Sequence, residues 1–285
     1  MPTLWERVTQ DAKLISLPEA YLRLKQVIDD PDYTVQQVAE AVSHDPALTT
    51  RVLRLINSPY FGLASPIDNI PRAVSLLGPQ QIHDLALATS VAHSFSGIDP
   101  KRHDLNRFWN DSLFCALVAK QLASLCRLEQ PERLFVAGLL SDLGHLILYQ
   151  SIPQETLNAE RLAREQTRPL VEVEREFLGL DYARVGATLM RQWRLPESLI
   201  EATEYHPEPQ RSQRDPLATA VIHVADRMRR ARSKEEALEE ETNQPEASSL
   251  ERLGLTLTGC AEIGERTEPE MQGLQSLLNP LSKAS

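Results

Sequence analysis

The sequence predicts an all-α protein, and three observations carry that prediction. Apolar residues recur at helical spacing along almost the whole chain, and no stretch alternates apolar and polar positions long enough to make a convincing strand. Only 11 glycines and 5% aromatics among 285 residues leave little material for the turn-rich hairpins of a β-sandwich or barrel. Helix-start residues also stand directly ahead of several apolar-periodic runs.

Taken in order, Pro18 opens a stretch containing Leu22, Leu24, Val27 and Ile28. Thr34 reads as an N-cap with Gln37 three residues on, a capping box leading into Val38, Ala39 and Val42. Asp45 caps the next helix, Pro46 takes its first position, and Leu48, Val52 and Leu55 line one face. That helix ends in the loop Asn57–Gly62. After Pro71 come a short helix closing at Gly78-Pro79 and a longer one to about Phe95, and 97–103 reads as a linker. A long helix follows with Phe114, Val118, Leu122 and Leu125 on one stripe, and with Cys115 and Cys126 beside it as small buried hydrophobes. Leu134–Tyr149 is the most apolar segment. Two more helices are expected to about Trp193, then one over Pro196–Tyr205 and one from Asp215 through the 220s. Residues 227–234 form a basic run, 235–249 read as a solvated acidic connector, and the apolar-periodic piece 250–281 is expected to dock back on the body.

The formal charge is -10, but it is unevenly placed. Residues 234–285 hold 11 acidic and 4 basic side chains, net -7, which leaves the rest of the chain at -3. The total argues against nucleic acid or an anionic membrane as the default partner. No apolar run is read as reaching the roughly 20 residues of a membrane helix, and residues 1–10 lack a signal-peptide pattern. Three cysteines without metal or redox spacing suit a reducing cytoplasm.

A search for catalytic groups finds no G-x-S-x-G, no Walker A and no G-x-G-x-x-G. Seven histidines remain, two of them in the dipeptides His44-Asp45 and His83-Asp84. Asp45 is taken up by capping, and His83-Asp84 lacks a third ligand at a recognisable distance, so capping and surface solvation account for both. The informative segment is Val136-Ala-Gly-Leu-Leu-Ser-Asp-Leu-Gly-His-Leu-Ile-Leu148. It carries Asp142 on a buried helix end, where a carboxylate is costly unless something satisfies it.

This segment resembles the Gly-Leu-Leu-His-Asp-Ile-Gly-Lys signature of HD-superfamily metal-dependent phosphohydrolases, with Ser141 at the metal-binding His and His145 at the Lys. Trp109-Asn-Asp-Ser-Leu113 is similar to the family's Trp-x-His-Ser-Leu, with Asp111 at another metal His. Leu180-Asp-Tyr-Ala-Arg-Val-Gly186 resembles Asp-His-x-x-Val-Gly, with Tyr182 at a third. Trp193–Pro196 and Tyr205-His206-Pro207 resemble the family stretch that usually reads Trp-x-Leu-Pro followed by His-His, and Val221–Asp226 resembles the helix that supplies the last metal aspartate. In the N-terminal half Leu17-Pro18, Asp45-Pro-Ala-Leu48, Asn57-Ser58, Ile70–Ala73 and Leu76-Leu-Gly78 look like the HDOD domain, the HD-related output domain of bacterial signalling proteins.

The resemblance implies an N-terminal helical half, 14–98, packed on a degenerate HD-type bundle, 104–228. An extension at 1–13 precedes them and a charged connector with a helical tail follows at 229–285. It places Asp111, Ser141, Asp142, His206 and Asp226 at the vestigial HD site. Three carboxylates and one imidazole suit either Mg²⁺ or Mn²⁺, or a metal-free polar network. The network is the expectation, with Asp142 accepting from Ser141, helix N–H groups or His206, and with no catalytic residue and no cofactor. The expected function is a non-catalytic signalling module that recognises a protein or a small ligand; the alternative is a residual phosphohydrolase acting on a nucleotide or cyclic dinucleotide. Asn57, Tyr60 and Phe61 are candidate interface residues, with the aromatics stapling the two halves as the competing reading. A third class, nucleic-acid binding through Arg227–Lys234, is weakened by the acidic residues after it. By resemblance the partners are histidine kinases or cyclic-dinucleotide enzymes and regulators. With no receiver, GGDEF or transmembrane sensor region ahead of residue 14, the signal is expected from a separate chain or by direct binding.

Overall fold

A computed structural model describes residues 3–58, 61–95, 98, 103–234, 238, 243–271 and 274, and among them every regular element is helical. The helix α1 (Leu4–Leu14) starts from a Thr3 capping box with Glu6. Next come α2 (Glu19–Ile28), α3 (Val35–Ser43) and α4 (Pro46–Ile56). The caps are those the sequence predicts: Thr34 with Gln37 on α3, and Asp45 accepting from the Leu48 N–H with Pro46 in the first turn of α4. Asn69 caps α5 (Ile70–Leu77), and Gly78, at φ +85°, breaks the chain before α6 (Pro79–Ser94). A left-handed residue there lets two helices meet at an angle that no side chain adopts cheaply.

The second half begins with α7 (Leu105–Leu125), α8 (Pro131–Leu140) and α9 (Leu143–Ser151). Helices α10 (Pro153–Gln166), α11 (Leu170–Leu178) and α12 (Tyr182–Gln192) follow. There are thus three helices before Trp193 where periodicity predicts two. The extra break falls at Thr167, at φ +51°, followed by the Pro169 that starts α11. A single β-capable residue forced into the left-handed region is not visible as a break in apolar spacing. Helix α13 (Glu197–Tyr205) leads through a 3₁₀ turn at Pro209–Arg211 into α14 (Pro216–Lys234), and α15 (Ala247–Leu253) and α16 (Leu257–Met271) are the last helices among the described residues.

Helices α2–α6 pack among themselves and join the second half mainly through α6 against α8. In the second half α7 lies along α8 and α14, and α12 runs between α9 and α13. The first helix does not belong to the first half. It packs on α9 and α12, where Arg184 stacks on Trp5 at 4.7 Å and Trp193 Nε1 donates to the Ile15 carbonyl at 3.1 Å. Helices α15 and α16 lie on α14 and α7 respectively, so the 250–271 part of the tail docks as expected. The connector is less solvated than its charge suggests: Leu238, Asn243 and Ser249 are buried, and the Glu246 N–H donates to His223 Nε2 at 2.9 Å.

Two further expectations change. Leu125 is 60% exposed and does not complete the α7 stripe, because α7 ends there. Pro131–Ser151 does have the length and mean hydropathy, 1.2, of a membrane-crossing helix, contrary to the sequence reading; 83% of that window is buried in the protein. It is in fact two helices broken at Ser141-Asp142. The break is fixed by close packing. A Cβ on Gly144 would sit 1.8 Å from the Tyr182 carbonyl oxygen, so α9 and α12 approach almost backbone to backbone.

Candidate functional site

Four helices converge on a buried polar cluster. The break between α8 and α9 places Asp142, the start of α12 places Tyr182, and the end of α13 places His206. One turn of α14 then supplies Asp226, Arg229 and Arg230. Ligand-capable atoms of Asp142, His206 and Asp226 lie within 4.8 Å of one another, the one such grouping among the described residues.

Both carboxylates are held by arginines. Asp226 accepts from Arg229 Nε at 3.1 Å and Nη2 at 2.5 Å, and its other oxygen lies 2.8 Å from Arg230 Nε. Arg229 Nη2 also reaches Asp142 Oδ2 at 3.1 Å. Burial alone would push the Asp226 carboxyl up, but Arg230 and Arg229 hold it well below the usual carboxylate range. Burial opposes the charge on Arg229 in turn, and Asp142 and Asp226 more than offset it. The result is a paired set of two anions and two cations inside the bundle.

His206 closes the network from the other side. Its Nδ1 lies 2.8 Å from the Thr203 carbonyl, which can only accept, so Nδ1 carries the proton. Burial lowers its pKa and keeps the ring neutral, leaving Nε2 as an acceptor for the Tyr182 hydroxyl at 3.1 Å. That hydroxyl accepts from Arg230 Nη2 at 2.9 Å. Asp142 Oδ1 faces the same His206 Nε2 at 3.7 Å and makes no hydrogen bond. The expected donors to Asp142 are therefore not the ones found. Ser141 donates to the Gly138 carbonyl at 3.0 Å inside its own helix, and His206 offers a lone pair rather than a proton.

Asp111 stands apart from this cluster, on α7. It lies 3.4 Å from Arg232 Nη1 and 3.8 Å from Arg107 Nε, and Arg232 bridges on to Glu268 of α16. The spacing of Asp111 matches an HD motif, but the Arg232 ion pair draws its side chain toward the tail. Of the five positions named from sequence, three converge, Ser141 is adjacent but turned inward, and Asp111 is separate.

Around the cluster lies a series of aromatic and imidazole rings. His145 stacks on Tyr182 at 3.9 Å, and burial pushes its pKa down to about 4. His103 stacks on Tyr149 at 3.8 Å, and Tyr149 donates to Glu160 at 2.9 Å. His223, also pushed down to about 4 by burial, donates from Nδ1 to the His206 carbonyl at 2.7 Å. Glu174 is fully buried behind Tyr182, with Oε2 accepting the Tyr182 N–H at 2.8 Å and Oε1 without a partner.

In the N-terminal half, His83-Asp84 is not a solvated or capping pair. Both residues are buried, the Tyr21 hydroxyl lies 2.9 Å from His83 Nε2, and His83 Nδ1 lies 3.0 Å from Asp84 Oδ1. Burial on α6 brings them against α2, and together they satisfy one another. Asn57 uses both ends of its amide on Ile67, at 2.7 Å to the N–H and 2.7 Å to the carbonyl, closing the loop. Phe61 packs against the core with Lys120 Nζ 5.3 Å from its ring centre, an arrangement in which it joins the loop to α7. Tyr60 lies outside the described residues.

The HD resemblance implies a metal at Asp142, His206 and Asp226, and the donor set does not fit one. Both carboxylates already carry guanidinium partners, and the His206 lone pair is engaged by Tyr182. A divalent ion here would stand near two fixed positive charges, each unit pair repelling by about 4 kcal/mol at 4 Å and an effective dielectric constant of 20. The Arg229 and Arg230 contribution is the feature the motif comparison misses. Its signal is the spacing Asp226-x-x-Arg229-Arg230, which puts both arginines one turn along from the aspartate.

Residues 14–209 match the HDOD domain family model, and the chain belongs to that family. The structure is similar to that of a Shewanella amazonensis protein provisionally described as a phosphohydrolase, with TM-score 0.76 and 26% identity over 96% of this chain and 97% of that one. It also resembles an HDOD domain protein of unknown function from Geobacter sulfurreducens, with TM-score 0.73 and 23% identity over 96% and 99% of the two chains. An uncharacterised protein of Treponema pallidum is 25% identical over 191 residues, 67% of this chain; the chain spans 37% of that relative's length. The family match and these structural likenesses agree on one helical HDOD-type fold.

Proposed function

We propose that this chain is a non-catalytic regulatory module that acts by recognising a protein partner or a small ligand. One observation supports this above the rest: the two HD-position carboxylates are neutralised by Arg229 and Arg230, which removes the charge that would hold a catalytic metal. Metal-dependent hydrolysis needs a bound cation to activate water and screen phosphate. Tyr182 and Ser141, at two metal-His positions, both spend their hydroxyls on protein partners. We take the module to work in the bacterial cytoplasm with histidine kinases or cyclic-dinucleotide enzymes and regulators as partners, as the family resemblance implies. Arg229 and Arg230 are committed to the interior, so the basic run has fewer groups to offer nucleic acid than its composition suggests.

A residual phosphohydrolase is the second reading, favoured by the three ligand-capable residues within 4.8 Å and by the description of the Shewanella relative. Metal analysis of the purified protein and a phosphatase and phosphodiesterase panel with Mn²⁺ separate the two. The regulatory reading expects no stoichiometric metal and no turnover. Turnover that Asp142→Ala abolishes would refute it.

A further inference from the structure

We infer that Arg229 and Arg230 are the structural replacement for the HD metal: a built-in cation that the fold requires, whose removal turns the same pocket into a divalent-metal site. This deepens the regulatory reading above and rests on the same cluster.

The geometry supports the exchange in three ways. First, Arg229 bridges the same two carboxylates that a metal would bridge. Its Nη2 lies 3.1 Å from Asp142 Oδ2 and 2.5 Å from Asp226 Oδ1. Second, the guanidinium groups arrive from the helix that carries Asp226. They stand three and four residues beyond it, so the aspartate and its counter-charges are placed by one helical turn. Third, one carboxylate oxygen is left open. Asp142 Oδ1, on a residue 5% exposed, has no hydrogen-bond partner and lies 3.7 Å from His206 Nε2, whose lone pair the Tyr182 hydroxyl holds. A buried carboxylate oxygen without a donor suits a cation beside it. Arg229 reaches only the other oxygen of Asp142.

The exchange has a cost that makes it testable. With the arginines gone, two buried carboxylates lose their compensation and the fold is strongly destabilised. A divalent ion can restore that compensation, because Asp142, Asp226 and His206 then offer two carboxylates and an imidazole within 4.8 Å. Stability should therefore become metal-dependent.

The experiment compares the full chain with Arg229→Met/Arg230→Met, which keeps much of the side-chain volume without charge. Mn²⁺ is the probe, followed by electron paramagnetic resonance of the free ion and by thermal unfolding with and without it. Wild type is expected to bind no Mn²⁺ and to keep its Tm. The double variant is expected to bind one Mn²⁺ per chain and, at about 100 times the dissociation constant, to gain roughly 5 °C in Tm. If the variant does not fold alone, recovery of its helical circular dichroism on adding Mn²⁺ counts as the expected result. Adding Asp226→Asn should abolish the effect. Arg229→Lys, which keeps the charge, should neither bind Mn²⁺ nor need it. Stoichiometric Mn²⁺ on wild type, or a double variant that takes up none and is not rescued, overturns the inference. A metal-free, inactive wild type with a variant that gains nothing refutes the exchange while leaving the regulatory reading intact. Phosphohydrolase turnover by wild type refutes the reading instead.

Discussion

Glu174 offers a sharp test of the energetics around the cluster. It is fully buried on α11, gives one oxygen to the Tyr182 N–H at 2.8 Å, and leaves the other without a partner. Burial raises its carboxyl from 4.5 to about 8, against the partial opposing effect of the Tyr182 hydrogen bond. A folded-state value above the unfolded one means the contribution is fully present below pH 4.5 and is lost as pH rises toward about 8. Each unit corresponds to about 1.4 kcal/mol, so the chain loses on the order of 3–4 kcal/mol between pH 5 and pH 8 from this one group. Glu174→Gln keeps the acceptor for Tyr182 and removes the titration. It introduces an unpaired amide N–H₂, a roughly constant cost of about 1–3 kcal/mol that does not vary with pH. The informative quantity is therefore the slope. Urea unfolding from pH 5 to 8.5 should show the variant gaining on wild type by about 1 kcal/mol or more per unit, crossing to greater stability near neutral pH. Parallel stability curves for the two proteins would refute the assignment of Glu174 as a buried, neutral acid.

His145 works in the opposite direction: burial holds it at about 4, so stability is present above its ordinary value of 6.5 and is lost as pH falls toward 4. His145→Phe, which preserves the stacking on Tyr182, should flatten the acid limb of the same titration. Asp226→Asn leaves two buried guanidinium groups undercompensated and should cost about 3–5 kcal/mol. Asp111→Asn, at a partly exposed pair with Arg232 and Arg107, should cost less than about 1 kcal/mol in denaturant titrations. Gly144→Ala drives a methyl group into the Tyr182 carbonyl and should lower Tm by many degrees, whereas Gly186→Ala, whose nearest contact is 3.1 Å, should lower it less.

The helical class was readable because its causes are local. Thr34 with Gln37 and Asp45 with Pro46 act within one turn, and the apolar spacing of α3 and α4 follows from the 3.6-residue period alone. The HD-position residues were readable as a motif, since Asp142, His206 and Asp226 keep the family order. What they do was not readable, because their partners come from other helices. Whether Asp142 meets Ser141, His206 or Arg229 depends on how α9, α13 and α14 cross, and Gly144 against Tyr182 sets one of those crossings. The same reason explains His83-Asp84, a surface pair by pattern and an interior one once α2 brings Tyr21 over it. It also explains the displacement of Asp111 toward Arg232 and the tail. Local propensity and order in the chain set the elements and the family. The charge balance of the cluster, and with it the choice between a metal and an arginine, was set by the long-range packing that decides which buried charges face one another.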